Sequence, residues 1–235
     1  MNKRNKEKKK ILAIVPARGG SKGIKLKNLK KIGGKSLIQL VAEVISESKL
    51  FTNAVVSTDH KQIKKEAVKY GLDAPFYRPK NLSGDMISDL EVLQHAILKS
   101  EDFYEIKYDY IVMLQPTSPL RTKRDLKKLV SMMENGDYDS IWTISETDSK
   151  FHPQKQLDIK SGYLDFWHSK GKNIIARQQL DTLYHRNGVG YIFSRDCLLG
   201  KNSIKGNKTG YLILKSPQIS IDTLDDLKKA ENLLN

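Results

Sequence analysis

Residues 11–29, ILAIVPARGGSKGIKLKNL, decide how the rest of the chain is interpreted. The apolar run at 11–15 stops at Pro16, a pattern typical of a short buried strand. The segment that follows combines glycines with Arg18, Lys22 and Lys27. Glycines let backbone N–H groups approach an anion, and the basic side chains add donors and charge. The stretch therefore predicts a strand followed by a polyphosphate-binding loop, with an ordinary basic surface loop as the alternative.

Strand and helix patterns alternate over most of the chain. Such alternation indicates βαβ units around a mainly parallel sheet, which binds ligands at the carboxyl ends of its strands. The basic loop leaves one such end, although it has neither the P-loop pattern nor GxGxxG. We predict further strands at 54–57, 110–114, 140–145, 189–194 and 210–215. We predict helices at 37–50, 61–70, 89–100, 122–134 and 223–234.

The positive charge is concentrated in two segments. The 235 residues carry a net charge of +14, and residues 3–10 hold six basic groups while residues 22–35 hold six lysines. A basic RNA-binding protein is the non-enzyme alternative, but it predicts interleaved aromatic residues and a known binding module, neither of which is found in the sequence. We therefore expect no nucleic-acid partner.

Cysteine content and hydropathy predict a cytoplasmic protein with no membrane partner. The single cysteine, Cys197, excludes a disulfide framework and a CxxC metal site, and it suits a reducing compartment. The apolar run at 11–15 is shorter than the roughly 7–15 residues of a signal-peptide core. No segment reaches the roughly 18 apolar residues of a membrane span.

The sequence divides into three parts. Residues 1–10 form a basic N-terminal tail. Residues 11–145 and 187–235 are predicted to form a nucleotide-binding α/β domain. Residues 146–186 lack a βαβ repeat and are interpreted as an insert or flap.

The segment PARGGSKGIKLKN at 16–28 resembles the signature of the CMP-sugar synthetases, the acylneuraminate cytidylyltransferase family. Four further stretches agree with that family in order: Arg78-Pro79 followed by LSGDMIS at 82–88, LQPTSPLRT at 114–122, RNGVGYIF at 186–193 and SIDTLDDL at 220–227. The resemblance covers almost the whole chain. It implies a Rossmann-like three-layer sandwich of the nucleotide-diphospho-sugar transferase type, with a small dimerisation insert.

The resemblance also implies a reaction. The family joins CMP from CTP to the anomeric hydroxyl of an α-keto acid sugar and releases pyrophosphate, with Mg²⁺ or Mn²⁺ as cofactor. A nine-carbon sugar of the sialic, legionaminic or pseudaminic type is the expected substrate. An eight-carbon keto acid and a catalytically inactive relative are the alternatives. The family's usual Asp-x-Asp is Ser220-Ile221-Asp222 here, which leaves Asp222 as the expected metal ligand.

Motif matches imply nucleotide-binding and catalytic roles. Arg18, Lys22, Lys27 and Asp222 are the expected catalytic residues. The expected nucleotide-binding residues are Ala17, Arg18, Gly19, Gly20, Ser21, Lys22, Asn28, Arg78, Ser88, Asp89 and Gln115. Two of these have ordinary alternatives, since Asn28 suits a turn and Ser88 suits a helix N-cap.

On the sugar side, the resemblance implies a set of polar groups and an interface. The expected substrate-binding residues are Gln115, Thr117, Ser118, Arg121, Lys155, Arg177, Asn187 and Tyr191. Arg121 is expected either to contact an anion or to pair with a carboxylate. The insert matches the family's dimerisation element, with Phe166 and Trp167 as interface anchors of a homodimer. An internal flap that packs on its own chain is the alternative.

Overall fold

A computed structural model describes residues 8–234. The strands are β1 (Ile11–Pro16), β2 (Lys31–Ile32), β3 (Lys35–Ser36), β4 (Asn53–Ser57), β5 (Tyr110–Met113), β6 (Ser140–Glu146), β7 (Leu157–Lys160), β8 (Tyr163–Phe166), β9 (Tyr184–Ser194) and β10 (Thr209–Ile213). The helices are α1 (Leu37–Ser48), α2 (Lys61–Lys69), α3 (Asp89–Tyr104), α4 (Lys123–Asn135), α5 (Arg195–Leu199) and α6 (Leu224–Leu234). Residues 1–7 of the predicted basic tail lie outside the described residues.

Six strands form the central sheet in the order β10-β6-β9-β5-β1-β4. The three pairings β1–β4, β1–β5 and β6–β10 are parallel. Strand β9 runs antiparallel to both of its neighbours. It also begins at Tyr184, five residues before the strand predicted at 189–194, because its first residues pair with the end of β6. The prediction of a mainly parallel sheet is confirmed.

Helices cover both faces of the sheet. Ala13 and Val15 of β1 pack in one buried cluster with residues of α1, α2 and α4. Leu12 and Ile14 pack in a second cluster with residues of α3 and α5. Successive side chains of a strand point to opposite faces, so this alternation places β1 between two helical layers. The three-layer α/β prediction is confirmed.

A third apolar cluster lies beside the sheet and joins distant parts of the chain. It contains Ile24 from the loop after β1, Leu37 from α1, and Ile221 and Ala230 from the C-terminal segment. Because all four side chains are buried, the loop after β1 is held against residues 219–230.

The insert has a different character from the sheet. Strands β7 and β8 form a separate two-stranded hairpin, turned by Ser161 and Gly162, which both have positive φ. Short 3₁₀ turns flank the hairpin on both sides. Within residues 8–234, no helix is both long and apolar enough to cross a membrane.

Candidate active site

A cleft of about 560 Å³ opens where β1 and β5 end, at the edge of the sheet predicted to bind a ligand. Predicted site residues that line it are Arg18, Ser21, Lys22, Lys27, Asn28, Arg78, Asp89, Gln115, Thr117 and Asp222. Ala17, Gly19, Gly20 and Ser88 were also predicted to bind nucleotide, but their atoms do not line this cleft.

The loop after β1 presents cations that are bound to an acidic side chain. Arg18 Nη2 lies 2.7 Å from Asp85 Oδ1, and Lys22 Nζ lies 2.6 Å from Asp85 Oδ2. Lys22, followed by Arg18, holds the pKa of the Asp85 carboxyl below its ordinary value. Asp85 therefore places negative charge where the loop collects positive charge.

A second ion pair closes the other end of the cleft. Lys27 Nζ donates to Asp222 Oδ1 at 2.8 Å, and the Lys27 side chain is only 16% exposed against 71% for Asp222. The backbone N–H of Asp222 donates to Asp226 Oδ2 at 3.0 Å, so a residue of α6 holds the main chain that carries this carboxylate. Asp226, in the first turn of α6, therefore contacts the segment that carries Asp222.

Close packing fixes the shape of the phosphate loop. A Cβ at Gly23 would lie 2.6 Å from the carbonyl oxygen of Asp222, so only glycine fits there. Asn28, which is 5% exposed, donates from Nδ2 to the carbonyl of Arg18 at 3.1 Å. Ala17 is fully buried, and its backbone N–H donates to the carbonyl of Ser57 at 2.9 Å. The loop is held by its own contacts.

Arg78 and the start of α3 form another wall. The buried guanidinium of Arg78 donates to the carbonyl of Ser57 at 2.5 Å and to its hydroxyl at 3.1 Å, and burial lowers the pKa of Arg78 to about 10. Ser88 and Glu91 form a capping box, which supports the helix-cap alternative for Ser88. Asp89 follows as the first residue of α3 and lines the cleft.

A smaller cavity of about 160 Å³ adjoins the cleft. The residues that line it are Asp89, Gln115, Arg186, Asn187, Gly188, Tyr191 and Ser220. Three of them, Asp89, Gln115 and Ser220, also line the larger cleft. The two cavities therefore meet at the end of β5, where Gln115 lies.

Contacts within the protein occupy several groups of the smaller cavity. Asn187 Oδ1 accepts from Thr143 and from the backbone of Val189, while its Nδ2 donates to Ser145. Tyr191 Oη accepts from the N–H of Gly188 at 2.8 Å. Asn187 and Gly188 lie within β9, where the pairing with β6 shifts register between Trp142 and Ile144, and Gly188 has φ of +74°.

Two of the predicted sugar-binding residues are internal. Arg121 is 5% exposed, and it donates to the carbonyls of Gln115 at 2.8 Å, Gly188 at 3.1 Å and Val189. It contacts no carboxylate among residues 8–234, and burial lowers its pKa to about 9. Ser118 Oγ donates to the carbonyl of Asn187. Neither residue lines either cavity, and together they hold the turn after β5 against the start of β9.

The two predicted cations of the insert also lie outside both cavities. Lys155 ends a 3₁₀ turn at Pro153–Lys155, and Arg177 begins another at Arg177–Gln179. Two charged residues that were not predicted do line the site, namely Asp85 and Arg186. Each lies inside a stretch that resembles the family, but only the fold brings Asp85 to the cleft and Arg186 to the smaller cavity.

Asp222 and Ser220 are the candidate oxygen ligands for a divalent ion in the cleft. Ser220 Oγ lies 3.4 Å from Asp222 Oδ2, and both residues line the cleft. No group of three or more His, Cys, Asp or Glu residues within 8–234 is arranged to enclose a metal. One carboxylate with phosphate oxygens and water suits Mg²⁺, which keeps several waters and needs few protein ligands.

Comparison with known proteins identifies the family. The cytidylyltransferase family model matches residues 12–234. Post-translational flagellin modification protein B of Campylobacter coli is 33% identical to this chain, over 95% of this chain and 94% of its own length. The CMP-N,N'-diacetyllegionaminic acid synthase of Campylobacter jejuni is 33% identical over 96% of this chain and 95% of its own. The pseudaminic acid cytidylyltransferase of the same organism is 32% identical over 95% and 96%.

Solved structures share the fold at lower identity. A CMP:2-keto-3-deoxy-manno-octonic acid synthetase complexed with CTP aligns with a TM-score of 0.68 at 19% identity, covering 96% of this chain and 98% of that one. A 4-diphosphocytidyl-2C-methyl-D-erythritol synthase also gives 0.68, at 12% identity, over 97% and 100%. The family match spans nearly the full chain and includes the loop after β1, so this protein belongs to the cytidylyltransferase family.

Proposed function

We propose that the protein transfers CMP from CTP to the anomeric hydroxyl of a nine-carbon α-keto acid sugar and releases pyrophosphate. The observation that carries the proposal is the gathering of Arg18, Lys22 and Lys27 in one cleft at the carboxyl end of β1. Relatives named for legionaminic and pseudaminic acids, similar over nearly their full lengths, favour the nine-carbon substrate.

In this proposal the triphosphate replaces acidic side chains of the protein. Arg18 and Lys22 would exchange Asp85 for phosphate oxygens, and Lys27 would turn from Asp222 towards the reacting phosphate. The anomeric hydroxyl oxygen then attacks the α-phosphorus, its proton passes to water, and the bond to the pyrophosphate breaks. Positive charge fixed in the cleft stabilises the negative charge that grows on the leaving group.

A divalent ion belongs to the proposal. Asp222 would hold Mg²⁺ or Mn²⁺ together with phosphate oxygens, and Ser220 would contribute at most a weak ligand. When bound, the ion supplies charge neutralisation between phosphates. The chain's own part would be to fix the main chain at Asp222, whose N–H donates to Asp226.

We also propose a homodimer formed through the insert. The hairpin β7–β8 and the residues after it expose Ile159, Tyr163, Leu164, Trp167 and Ile175. Several large apolar side chains exposed on one short segment are typical of an interaction surface. The cytoplasm remains the predicted location, and a buried free thiol at Cys197 is compatible with it.

Pyrophosphate release tests the reaction directly. The assay would combine CTP and Mg²⁺ with N-acetylneuraminic, diacetyllegionaminic, pseudaminic and eight-carbon keto acids, with ATP, GTP and UTP as nucleotide controls. We expect release with CTP and at least one nine-carbon acid. Release only with the eight-carbon acid would correct the substrate, and folded protein that binds CTP without any release would overturn the proposed function.

A further inference from the structure

The smaller cavity contains a cation that the proposed reaction has not yet used. We propose that Arg186 binds the carboxylate of the sugar acid and thereby selects acidic sugars. This inference rests on the proposed function and assigns the sugar end of the same site. Arg186 lines the smaller cavity, whereas Lys155 and Arg177 of the insert line neither cavity.

Arg186 is available for an anion. Among residues 8–234 it has neither an ion pair nor a side-chain hydrogen bond, and its side chain is exposed. Arg18 and Lys22, by contrast, share Asp85, and Arg121 is occupied by three carbonyls. A guanidinium with free donors binds a carboxylate through two parallel hydrogen bonds.

The position of Arg186 is fixed by neighbouring strands. Its guanidinium carbon lies 5.2 Å from the centre of the Trp142 ring, within the range of a cation–π contact. Trp142 Nε1 donates to the carbonyl of Ile204, and its ring meets Tyr191 edge to face at 6.0 Å. The cation is therefore supported by β6 and β9 rather than by a mobile surface loop.

Substrate chemistry requires a cation at this point. In an α-keto acid sugar, the anomeric carbon carries both the attacking hydroxyl and the carboxylate. A group that binds the carboxylate must therefore lie close to the place where the hydroxyl meets the α-phosphorus. The smaller cavity joins the nucleotide cleft through Asp89, Gln115 and Ser220, and Arg186 lines the smaller cavity.

Asp89, the acidic residue of the same cavity, would favour one orientation of the bound substrate. Asp89 repels a carboxylate, but it accepts hydrogen bonds from sugar or ribose hydroxyls. A sugar acid bound with its carboxylate at Arg186 and its hydroxyls towards Asp89 and Gln115 satisfies both ends. A neutral sugar would leave Arg186 without an anion.

Steady-state kinetics test this assignment. At saturating CTP, Arg186→Gln should raise the KM for the sugar acid about 10- to 100-fold, the range for a lost charge-assisted hydrogen bond. The KM for CTP should stay within about twofold, because the phosphate cations are untouched. Arg186→Lys should recover part of the loss, and the matched control Arg124→Gln, at an exposed arginine of α4, should behave as wild type. An unchanged sugar KM in Arg186→Gln, with active wild type, would overturn the inference.

A binding measurement separates this inference from the proposed function. Calorimetry would titrate N-acetylneuraminic acid, and separately its methyl ester, into enzyme loaded with CDP, which cannot react. We expect the acid to bind wild type about 10- to 100-fold more tightly than Arg186→Gln, and the ester to bind both variants equally. Equal affinity for the acid, or no binding to wild type, would overturn the assignment. Binding through Arg186 without any turnover would leave the assignment standing while the transfer reaction fails.

Discussion

The nucleotide cleft and the insert use their side chains in opposite ways. In the cleft, the cations of the loop after β1 have acidic partners from distant parts of the chain, such as Asp85 and Asp222. In the insert, Tyr163 is 79% exposed, Leu164 70% and Trp167 67%. The charges of the cleft are paired within one chain. The apolar side chains of the insert, by contrast, are left uncovered by residues 8–234.

The difference indicates where each region finds its partner. The paired charges in the concave cleft suit a charged small molecule, which can replace one partner of each ion pair. The exposed aromatic and aliphatic side chains of the hairpin suit an apolar protein surface. Four predictions test this contrast, beginning with the largest expected effect.

Lys27→Ala should reduce turnover by about 10²- to 10³-fold, the usual loss when one fixed charge-stabilising donor is removed. Folding should change by no more than about 1 kcal/mol, because the ion pair with Asp222 is largely exposed on the acid's side. Pyrophosphate release and thermal unfolding measure the two effects. Lys25→Ala, an exposed lysine of the same loop, is the control, and equal losses in both variants would contradict a specific role for Lys27.

Arg121→Met should lower the free energy of unfolding by about 3 kcal/mol, because three carbonyls lose their buried donor. Those carbonyls belong to Gln115 after β5 and to Gly188 and Val189 of β9, so the loss should reach the site as well as the fold. Denaturant unfolding measures the change. The control, Arg124→Met on the exposed face of α4, should change the free energy of unfolding by less than about 0.5 kcal/mol. Similar values for the two variants would argue against a stabilising role for the three hydrogen bonds of Arg121.

Trp167→Asp should weaken the proposed homodimer by about 10- to 100-fold, because it puts a charge into an apolar interface. The folded monomer should survive, since Trp167 is mostly exposed. Light scattering over a dilution series measures the oligomeric state. The matched control Tyr77→Asp changes an exposed aromatic residue outside the insert and should leave the dimer unchanged. A wild-type chain that is monomeric at all concentrations would contradict the proposed homodimer.

Asp85→Asn should lower the KM for CTP about two- to fivefold, because the triphosphate no longer competes with a carboxylate for Arg18 and Lys22. The pKa of Asp85 lies below its ordinary value, so the group stays ionised throughout pH 6–8 and the ratio of the two KM values should not change there. A higher KM in the variant would mean that Asp85 helps to hold the nucleotide. Asp102→Asn, an exposed acid on α3, provides the control.

The sequence predicted the features that are local in the chain. The run at 11–15 and the glycines and lysines after it are contiguous, so strand, loop and cations are predicted together. Gln115 follows its strand directly for the same reason. The partners of these groups were not predicted, because Asp85 and Arg186 reach the site only through tertiary packing. The role of Arg121 was hidden in the same way, since its three carbonyl partners are known only once β9 lies beside β5.

The early start of β9 also has an evolutionary consequence. Glu146 at the end of β6 lies opposite Tyr184 at the start of β9, so the insert is in effect one very long hairpin loop closed by that pair. A loop that leaves and re-enters the sheet at one end of a pair of hydrogen-bonded strands can lengthen, shorten or be exchanged while both strands keep their register, since closure entropy rises only slowly with length. Lineages can therefore diversify the segment that meets other molecules without disturbing the phosphate chemistry beside it.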